Sequence, residues 1–261
     1  MTQNDISTIK RELILYLEPI PNSPFAIKVN KFLDNARAEF YPTTACKYHC
    51  HCTVTGFFTL PNNNNEKHKN DEIIHHIIDI LDRLIVNNIN NDSPAVDTIP
   101  ILVKKAKIIT TTTATRTRTM DRNQREPTTI TIDDYPVHLL LPVSTPKRFH
   151  DIVHDFSLEL LSSNIDINIR PKAINHISLA YWDEPNATVD QIAEWHRLVM
   201  EDHLMDNMYK AAYDTFNTTT DSPIMIGWDF VLYERTVKGV DVGSRHQFVE
   251  LARWPSSSLG R

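Results

Sequence analysis

Several features that would assign a compartment are missing from this chain. It has no run of about twenty apolar residues, so the sequence predicts no membrane span. Its polar start, residues 1–7, lacks the apolar core of a secretory signal peptide. Only three cysteines occur, all in one short segment, at Cys46, Cys50 and Cys52. Without a signal peptide, this usage is typical of a reducing compartment, and it predicts a cytoplasmic protein with the nucleus as the alternative.

Positive charge is also scarce. The 261 residues include 27 Lys and Arg against 33 Asp and Glu, for a net charge of −6. A protein that follows long nucleic-acid duplexes needs a basic surface, so we expect a small nucleotide or an RNA end as the ligand instead. The sequence indicates no membrane partner and does not identify a protein partner. Its length suits one large domain or two small ones.

Two tetrapeptides share the pattern His, any residue, hydroxyl residue, aliphatic residue. They are His-Cys-Thr-Val at 51–54 and His-Ile-Ser-Leu at 176–179, and each opens a strand-like run. In a strand, side chains at i and i+2 share a face, so each segment presents an imidazole beside a hydroxyl group. Two such units facing each other would place a general base, a general acid and two donors around one tetrahedral anion. Those groups suffice to hydrolyse a phosphodiester without a metal.

The segments around the two motifs repeat in the same order. From the start of an apolar run to the motif histidine the offset is 38 residues in the first half and 37 in the second. Each half contains, in order, an apolar run, a helical pattern, the motif, a polar loop, a second helical pattern and two extended runs. In the first half these segments are 13–17, 24–37, 51–54, 62–65, 71–86, 101–110 and 128–132. In the second half they are 139–143, 149–161, 176–179, 183–186, 189–216, 225–237 and 247–253. This repetition predicts an α/β (α+β) protein with an internal duplication and a junction near residues 133–135.

With two such motifs in a duplicated chain, the sequence resembles the 2H phosphoesterase superfamily from about Leu13 to Trp254. That superfamily includes RNA 2′,3′-cyclic phosphodiesterases, LigT proteins, myelin cyclic nucleotide phosphodiesterases and the 2H part of ubiquitin-associated/SH3 phosphatase-like proteins, the last a candidate for the nearest relative. The resemblance implies a bilobal fold with a pseudo-twofold axis and a central cleft. It predicts one catalytic domain over 1–261, with lobe one at about 10–132 and lobe two at about 136–254.

The same resemblance implies a metal-independent phosphodiesterase that opens 2′,3′-cyclic phosphates of nucleotides or RNA ends and needs no cofactor. His51 would be the base and His176 the acid, giving a 2′-phosphate, while Thr53 and Ser178 would bind the non-bridging oxygens. Histidine suits both roles because its pKa lies near neutral pH. Two alternatives stay open: a 3′-end RNA exonuclease of the same superfamily that leaves a cyclic phosphate, and a non-catalytic nucleotide-binding module.

Two aromatic residues hold equivalent positions behind the motifs. Phe57 and Trp182 each follow the motif histidine by six residues, so a regular strand would put them on the histidine's face. There they could stack on bases, and ordinary packing at a strand end is the alternative. Arg116 and Arg118 alternate with threonines and offer phosphate contacts, although an exposed hairpin explains them equally.

A zinc hydrolase is the remote alternative. Cysteine thiolates and histidine imidazoles within residues 46–52 are normal zinc ligands. If residues 47–57 form a strand, however, Cys50 and Cys52 face away from His49 and His51, and one tetrahedral site cannot gather both sets. We therefore expect buried, apolar cysteines.

A second zinc-like pattern lies at residues 150–154. His150 and His154 are spaced as in the zinc proteases that carry His-Glu-x-x-His. Asp151 replaces the glutamate that must reach the metal-bound water, and its side chain is one methylene shorter. The sequence therefore favours an ordinary amphipathic helix here, and it predicts no metal site.

Overall fold

The computed structural model describes residues 10–61, 67–90, 102–111, 135–163, 165–216 and 227–255. In these ranges the protein is a mixed α/β structure with five α-helices and two antiparallel sheets. None of the helices described is both long and apolar enough to cross a membrane. The predicted loop at 62–65, the predicted strand at 128–132, and Arg116 and Arg118 lie outside the described residues.

The elements follow the predicted order with shifted ends. The strands are β1 (Glu12–Pro19), β2 (Cys52–Thr53), β3 (Phe58–Thr59), β4 (Leu102–Val103), β5 (Lys107–Thr111), β6 (Tyr135–Ser144), β7 (His176–Tyr181), β8 (Trp228–Val237) and β9 (Gln247–Pro255). The helices are α1 (Pro24–Glu39), α2 (Lys67–Asn90), α3 (Lys147–Ser162), α4 (Val189–Met200) and α5 (Leu204–Phe216).

In each sheet the motif strand pairs with an internal strand. In the first sheet β1 lies between β2 and β8, and β9 continues the sheet beyond β8. In the second sheet β6 pairs with β7 on one edge and with β4 and β5 on the other. Both sheets therefore take strands from both sides of the predicted junction, and they do not follow the division into 10–132 and 136–254.

Strand β1 is buried on both faces because its sequence alternates leucines with other large side chains. Leu13, Leu15 and Leu17 point into the main hydrophobic core. Ile14 and Tyr16 point the other way, into a smaller cluster with side chains of β8 and β9. This second face forms the floor of the cavity described below, so β1 links the core to the candidate site.

Two helices show why the sequence predicted them well or poorly. The predicted helix at 24–37 is confirmed as α1: the Ser23 hydroxyl accepts a hydrogen bond from the Ala26 N–H, and Pro24 begins the helix. The single helix predicted at 189–216 is wrong, because the chain turns at residues 201–203 and separates α4 from α5. His203 in that turn has a positive φ of 53°, which a continuous helix cannot accommodate.

The regular strand predicted over residues 47–57 is also wrong. The chain forms a 3-10 helix at Thr44–Lys47, and only Cys52–Thr53 pairs with β1 as a strand. The strand stops because the N–H groups of Val54 and Thr55 both bond to the carbonyl of Leu15, which interrupts the ladder. The alternation of burial nevertheless holds from residue 49 to residue 54, with the cysteines buried and the histidines half-buried.

Candidate functional site

The two motif strands belong to different sheets, and a short loop brings them together. The Gly56 N–H donates to the Arg170 carbonyl and the Lys172 N–H donates to the Val54 carbonyl, both at 2.9 Å. Thr55 also pairs with Pro171 as an isolated bridge. The segment before β7 is thereby bonded to the segment after β2, and β2 and β7 lie against each other.

A buried ion pair fixes the same junction from behind. Lys47 Nζ lies 2.7 Å from Glu184 Oε2, and the two side chains are only 6% and 3% exposed. The Thr44 hydroxyl donates to Glu184 Oε1 at 2.8 Å and accepts from the Asp183 N–H at 2.8 Å. The 3-10 helix before the first motif is therefore tied to the loop after the second. Sequence reasoning missed this pair because its members are 137 positions apart.

Between the two motifs lies a cleft made of two adjoining cavities. One has a volume of about 220 Å³ and is lined by His51, while the other has a volume of about 360 Å³ and is lined by His176. Four residues line both cavities: Thr53, Lys172, Ser178 and Tyr181. The two predicted catalytic histidines and the two predicted phosphate-binding hydroxyls thus face one continuous cleft.

His51 is held as a neutral imidazole. Its Nδ1 donates a hydrogen bond to the His49 carbonyl at 2.7 Å, which leaves Nε2 as the atom with a lone pair. Burial, together with the charges of His49 and His176, lowers its pKa to about 4, against the opposing effects of that hydrogen bond and of Glu18. The ring also lies 4.0 Å from the ring of Tyr16. Near neutral pH His51 can accept a proton at Nε2.

His176 uses the same ring nitrogen for positioning. Its Nδ1 donates to the side-chain oxygen of Asn175 at 2.7 Å, so its Nε2 is also available to a ligand. Burial, then the charges of His138 and Lys107, lowers its pKa below the ordinary value. The larger reduction falls on His51, so a single proton shared by the pair resides mainly on His176.

The two hydroxyl groups are available to a ligand. Thr53 is paired with Tyr16 across the first sheet, and Ser178 is paired with Leu140 across the second. Both side chains are half-buried. Within the described residues, neither hydroxyl has a hydrogen-bond partner. Two unpartnered donors that point into one cleft form a suitable cradle for the oxygens of an anion.

Two cations that the sequence reasoning did not select also line the cleft. Arg170 and Lys172 are exposed, and neither takes part in an ion pair within the described part of the chain. The Arg170 guanidinium lies so close to Gly56 that a Cβ there would sit 3.0 Å from Nη2. These cations precede His176 by six and four residues, in the sequence Arg-Pro-Lys. That proximity to the motif is the signal that could have found them.

The two aromatic residues predicted to stack on bases have different surroundings. Phe57 lines the cavity of His51, and its ring lies parallel to that of Phe248 with the Arg235 guanidinium 3.9 Å from its centroid. The ring of Trp182 stacks on Trp195 at 4.9 Å and lines neither cavity of the cleft. The structure therefore brings only Phe57 to the cleft.

A buried carboxylate lies beneath the cavity of His51. Glu18 forms a short hydrogen bond with Nε2 of His49, and it also accepts from the Tyr233 hydroxyl at 3.1 Å and from Arg253 at 3.2 Å. Burial alone would raise the pKa of Glu18, but the hydrogen bond and charge of His49, with the charges of His51 and Arg253, lower it overall. An ionised carboxylate thus holds the ring of His49 beside His51.

The patterns that suggested zinc do not assemble into a ligand set. The cysteines at 46, 50 and 52 are free and buried, and burial raises the pKa of the Cys50 and Cys52 thiols well above the ordinary value. His150 Nε2 bonds to the Thr145 hydroxyl at 2.9 Å, whereas His154 is exposed. Among the residues that the structure describes, no group of three or more His, Cys, Asp and Glu side chains could hold a metal ion.

The structure therefore brings His51, Thr53, His176 and Ser178 to one cleft, adds two cations to them, and places Trp182 elsewhere. Comparisons of the chain with protein-family models, with curated proteins and with solved structures gave no match.

Proposed function

We propose that this protein is a metal-independent phosphodiesterase that hydrolyses 2′,3′-cyclic phosphates of nucleotides or RNA ends by acid–base catalysis with two histidines. One observation carries the proposal: two imidazoles, each positioned through Nδ1, face a cleft with two hydroxyl groups, and neither Nε2 nor either hydroxyl has a partner among the residues that the structure describes. The two cations of the cleft add the charge that a phosphodiester requires.

The proposal includes membership of the 2H phosphoesterase superfamily, with its bilobal, duplicated fold. Strand pairing supports it. Strand β1 lies between the first motif strand and β8, which comes from the second half of the chain. Strand β6 correspondingly lies between the second motif strand and β5, which comes from the first half. Each half thus contributes a central strand, a motif strand and a strand that joins the other sheet, as a pseudo-twofold arrangement requires.

In the proposed reaction His51 is the base and His176 is the acid. Nε2 of His51 removes a proton from water, whose oxygen attacks phosphorus. The P–O3′ bond breaks, and Nε2 of His176 gives its proton to O3′, so that a 2′-phosphate remains. The site needs His51 neutral and His176 protonated, and this is the favoured distribution of one proton because the pKa of His51 is lowered further.

The remaining groups of the cleft stabilise the charge that builds on phosphate. The hydroxyls of Thr53 and Ser178 donate to the two non-bridging oxygens in the transition state. Arg170 and Lys172 are exposed and line the same cavity, where their positive charges would offset the negative charge of the phosphate. Donors that are already in position when the charge develops contribute the most to the rate, since no reorganisation is needed.

The test is to incubate the full chain with adenosine 2′,3′-cyclic phosphate in excess EDTA and to identify the product by mass and by chromatography. Adenosine 2′-phosphate is the expected product. A linear RNA with a free 3′ end is the second substrate, because its shortening to a cyclic phosphate end would identify the exonuclease instead. Saturable binding of the cyclic nucleotide without turnover would identify a non-catalytic binding module.

A further inference from the structure

We propose that the cleft has a second phosphate subsite beyond His176, formed by Lys107 and His138, and that the substrate carries a phosphate on the 5′ side of its cyclic end. This inference rests on the proposed function and narrows its substrate. The ligand chemistry is a second phosphate, which a 5′-phosphorylated nucleotide or the next phosphodiester of an RNA strand can supply.

The register of the second sheet places Lys107 on the catalytic face. Leu140 of β6 is the partner of Lys107 on one side and of Ser178 on the other. Residues paired in this way share a face of the sheet. Neighbouring strands lie about 4.8 Å apart, so the row from Ser178 to Lys107 is about 10 Å long. A phosphate held at Ser178 leaves room for one nucleoside before Lys107.

The cleft continues in that direction. A third cavity, of about 400 Å³, is lined by Lys107 together with His138, Asn175 and His176. Those last three residues also line the cavity of His176, so the two spaces adjoin. His176 therefore stands between the proposed reaction centre and the side chain of Lys107.

The charge of this region favours an anion. Lys107 is exposed and forms no ion pair within the described residues, and no carboxylate lines either cavity beside His176. Lys107 and His138 are close enough to His176 for their charges to act on its imidazole. In a chain with a net charge of −6, a cleft edge whose described lining includes Lys107 and Lys172 and no carboxylate would attract phosphate locally.

Three substrates test the inference: adenosine 2′,3′-cyclic phosphate, its 5′-phosphorylated form, and a dinucleotide with the same cyclic end. For the unsubstituted protein we expect kcat/KM to be about tenfold higher for the dinucleotide than for adenosine 2′,3′-cyclic phosphate, which has no 5′-phosphate. The 5′-phosphorylated nucleotide should share this advantage if any phosphate suffices, and lack it if the subsite requires the phosphodiester. Either result supports the second phosphate subsite.

Substitutions of two neighbouring lysines assign the effect to one side chain. Lys107→Gln should bring the ratio of kcat/KM between dinucleotide and nucleotide close to one, and Lys107→Arg should keep it high. Lys105→Gln is the matched control, because Lys105 is also exposed, lies two residues before Lys107 and lines none of the three cavities. It should leave both activities and their ratio unchanged.

Two results would overturn the inference. One is a ratio near one in the unsubstituted protein; the other is a ratio that Lys107→Gln leaves intact or that Lys105→Gln reduces equally. In both cases turnover of adenosine 2′,3′-cyclic phosphate, which has no 5′-phosphate, would show that the proposed function stands without the second subsite. Failure of the unsubstituted protein to turn over any of the three substrates would instead overturn the proposed function itself.

Discussion

The two ends of the cleft carry the same motif in different surroundings. His51 lies against Tyr16 and beside His49, whose ring is held by the buried carboxylate of Glu18. His176 lies on the more open second sheet, where Lys107 is the nearby charge that the proposed second subsite uses. Both imidazoles are positioned by a hydrogen bond at Nδ1, so their local geometry is equivalent. The side chains that surround the two rings are different.

This difference gives a physical reason for the two roles that the family resemblance implied. Burial lowers the pKa of both histidines, and the effect on His51 is large enough to bring its pKa to about 4. If the roles were exchanged, His51 would have to hold a proton while His176 held none. That distribution is the less favourable one, so the surroundings favour His51 as the base of the proposed reaction.

Removing each motif histidine in turn should cause the largest loss of turnover. His51→Ala and His176→Ala should each lower turnover by about 10²–10⁴-fold, since each removes a general acid or base. With a phosphodiester whose leaving group is a stabilised phenolate, which needs no acid, His176→Ala should regain most of its activity and His51→Ala should not. Steady-state kinetics with both substrates measure this.

The control for that experiment is His154→Ala, because His154 is an exposed histidine of α3 outside the cleft. It should keep the turnover of the unsubstituted protein. If both cleft variants recovered equally with the activated substrate, the assignment of base and acid would be contradicted.

Breaking the junction behind the cleft should cause the next largest effect, on stability. Lys47→Met leaves the carboxylate of Glu184 buried without its cation, which costs about 3–5 kcal/mol of unfolding free energy. The matched control is Arg245→Met, whose partner Asp34 forms an exposed ion pair worth about 1 kcal/mol or less. Urea unfolding measures the unfolding free energy of both variants. A loss in Lys47→Met as small as that in Arg245→Met would show that the Lys47–Glu184 pair is unimportant.

Removing the hydroxyl groups tests whether the two motifs contribute equally to binding the phosphate oxygens. Thr53→Val and Ser178→Ala each remove one donor, and we expect kcat to fall by a factor on the order of 10–10³ in each. KM should change little, because the donors act mainly when charge builds in the transition state. Unchanged kcat in both variants would show that the hydroxyls serve only the structure.

The smallest effect concerns the two aromatic residues. Phe57→Ala should raise KM on the order of tenfold if the ring stacks on a base, with kcat nearly unchanged. Trp182→Ala should leave KM unchanged and lower the unfolding free energy, because its ring packs on Trp195 and Tyr41. If KM rose only in the Trp182 variant, the nucleotide base would stack on Trp182 and not on Phe57.

The sequence predicted the features that depend on a few neighbouring residues, such as helix α1 and the faces of the motif side chains. The helical pattern at 24–37 predicts helix α1, and a period of two predicts that Cys50 and Cys52 face away from His49 and His51, which the burial of these residues confirms. The spacing of the two motifs also predicted that an imidazole and a hydroxyl would share a face in each segment. These features need only a few neighbouring residues.

Long-range pairing explains what could not be predicted. Strand β8 joins the sheet of β1, and β5 joins the sheet of β6, so each pairs with a strand from the other half of the chain. No short segment of sequence contains the information that selects these partners. The hydrogen bond between Glu18 and His49 depends on the position of β1 in the sheet. The contact of Arg170 with Gly56 depends on the bonding of the segment before β7 to the segment after β2. The break after Thr53 likewise depends on Leu15, which lies almost forty residues earlier.

The most direct test of the account is the dependence of kcat/KM on pH for adenosine 2′,3′-cyclic phosphate in excess EDTA. Activity should rise with pH as His51 loses its proton near pH 4 and fall as His176 loses its own below its ordinary value of 6.5. The account therefore predicts a bell with its maximum in the mildly acidic range, whose two apparent pKa values belong to the coupled pair. His49→Gln should move the acidic limb to higher pH, because it removes a charge that lowers the pKa of His51. Activity that rises steadily above pH 7, or that disappears in EDTA and returns with zinc, would contradict the account.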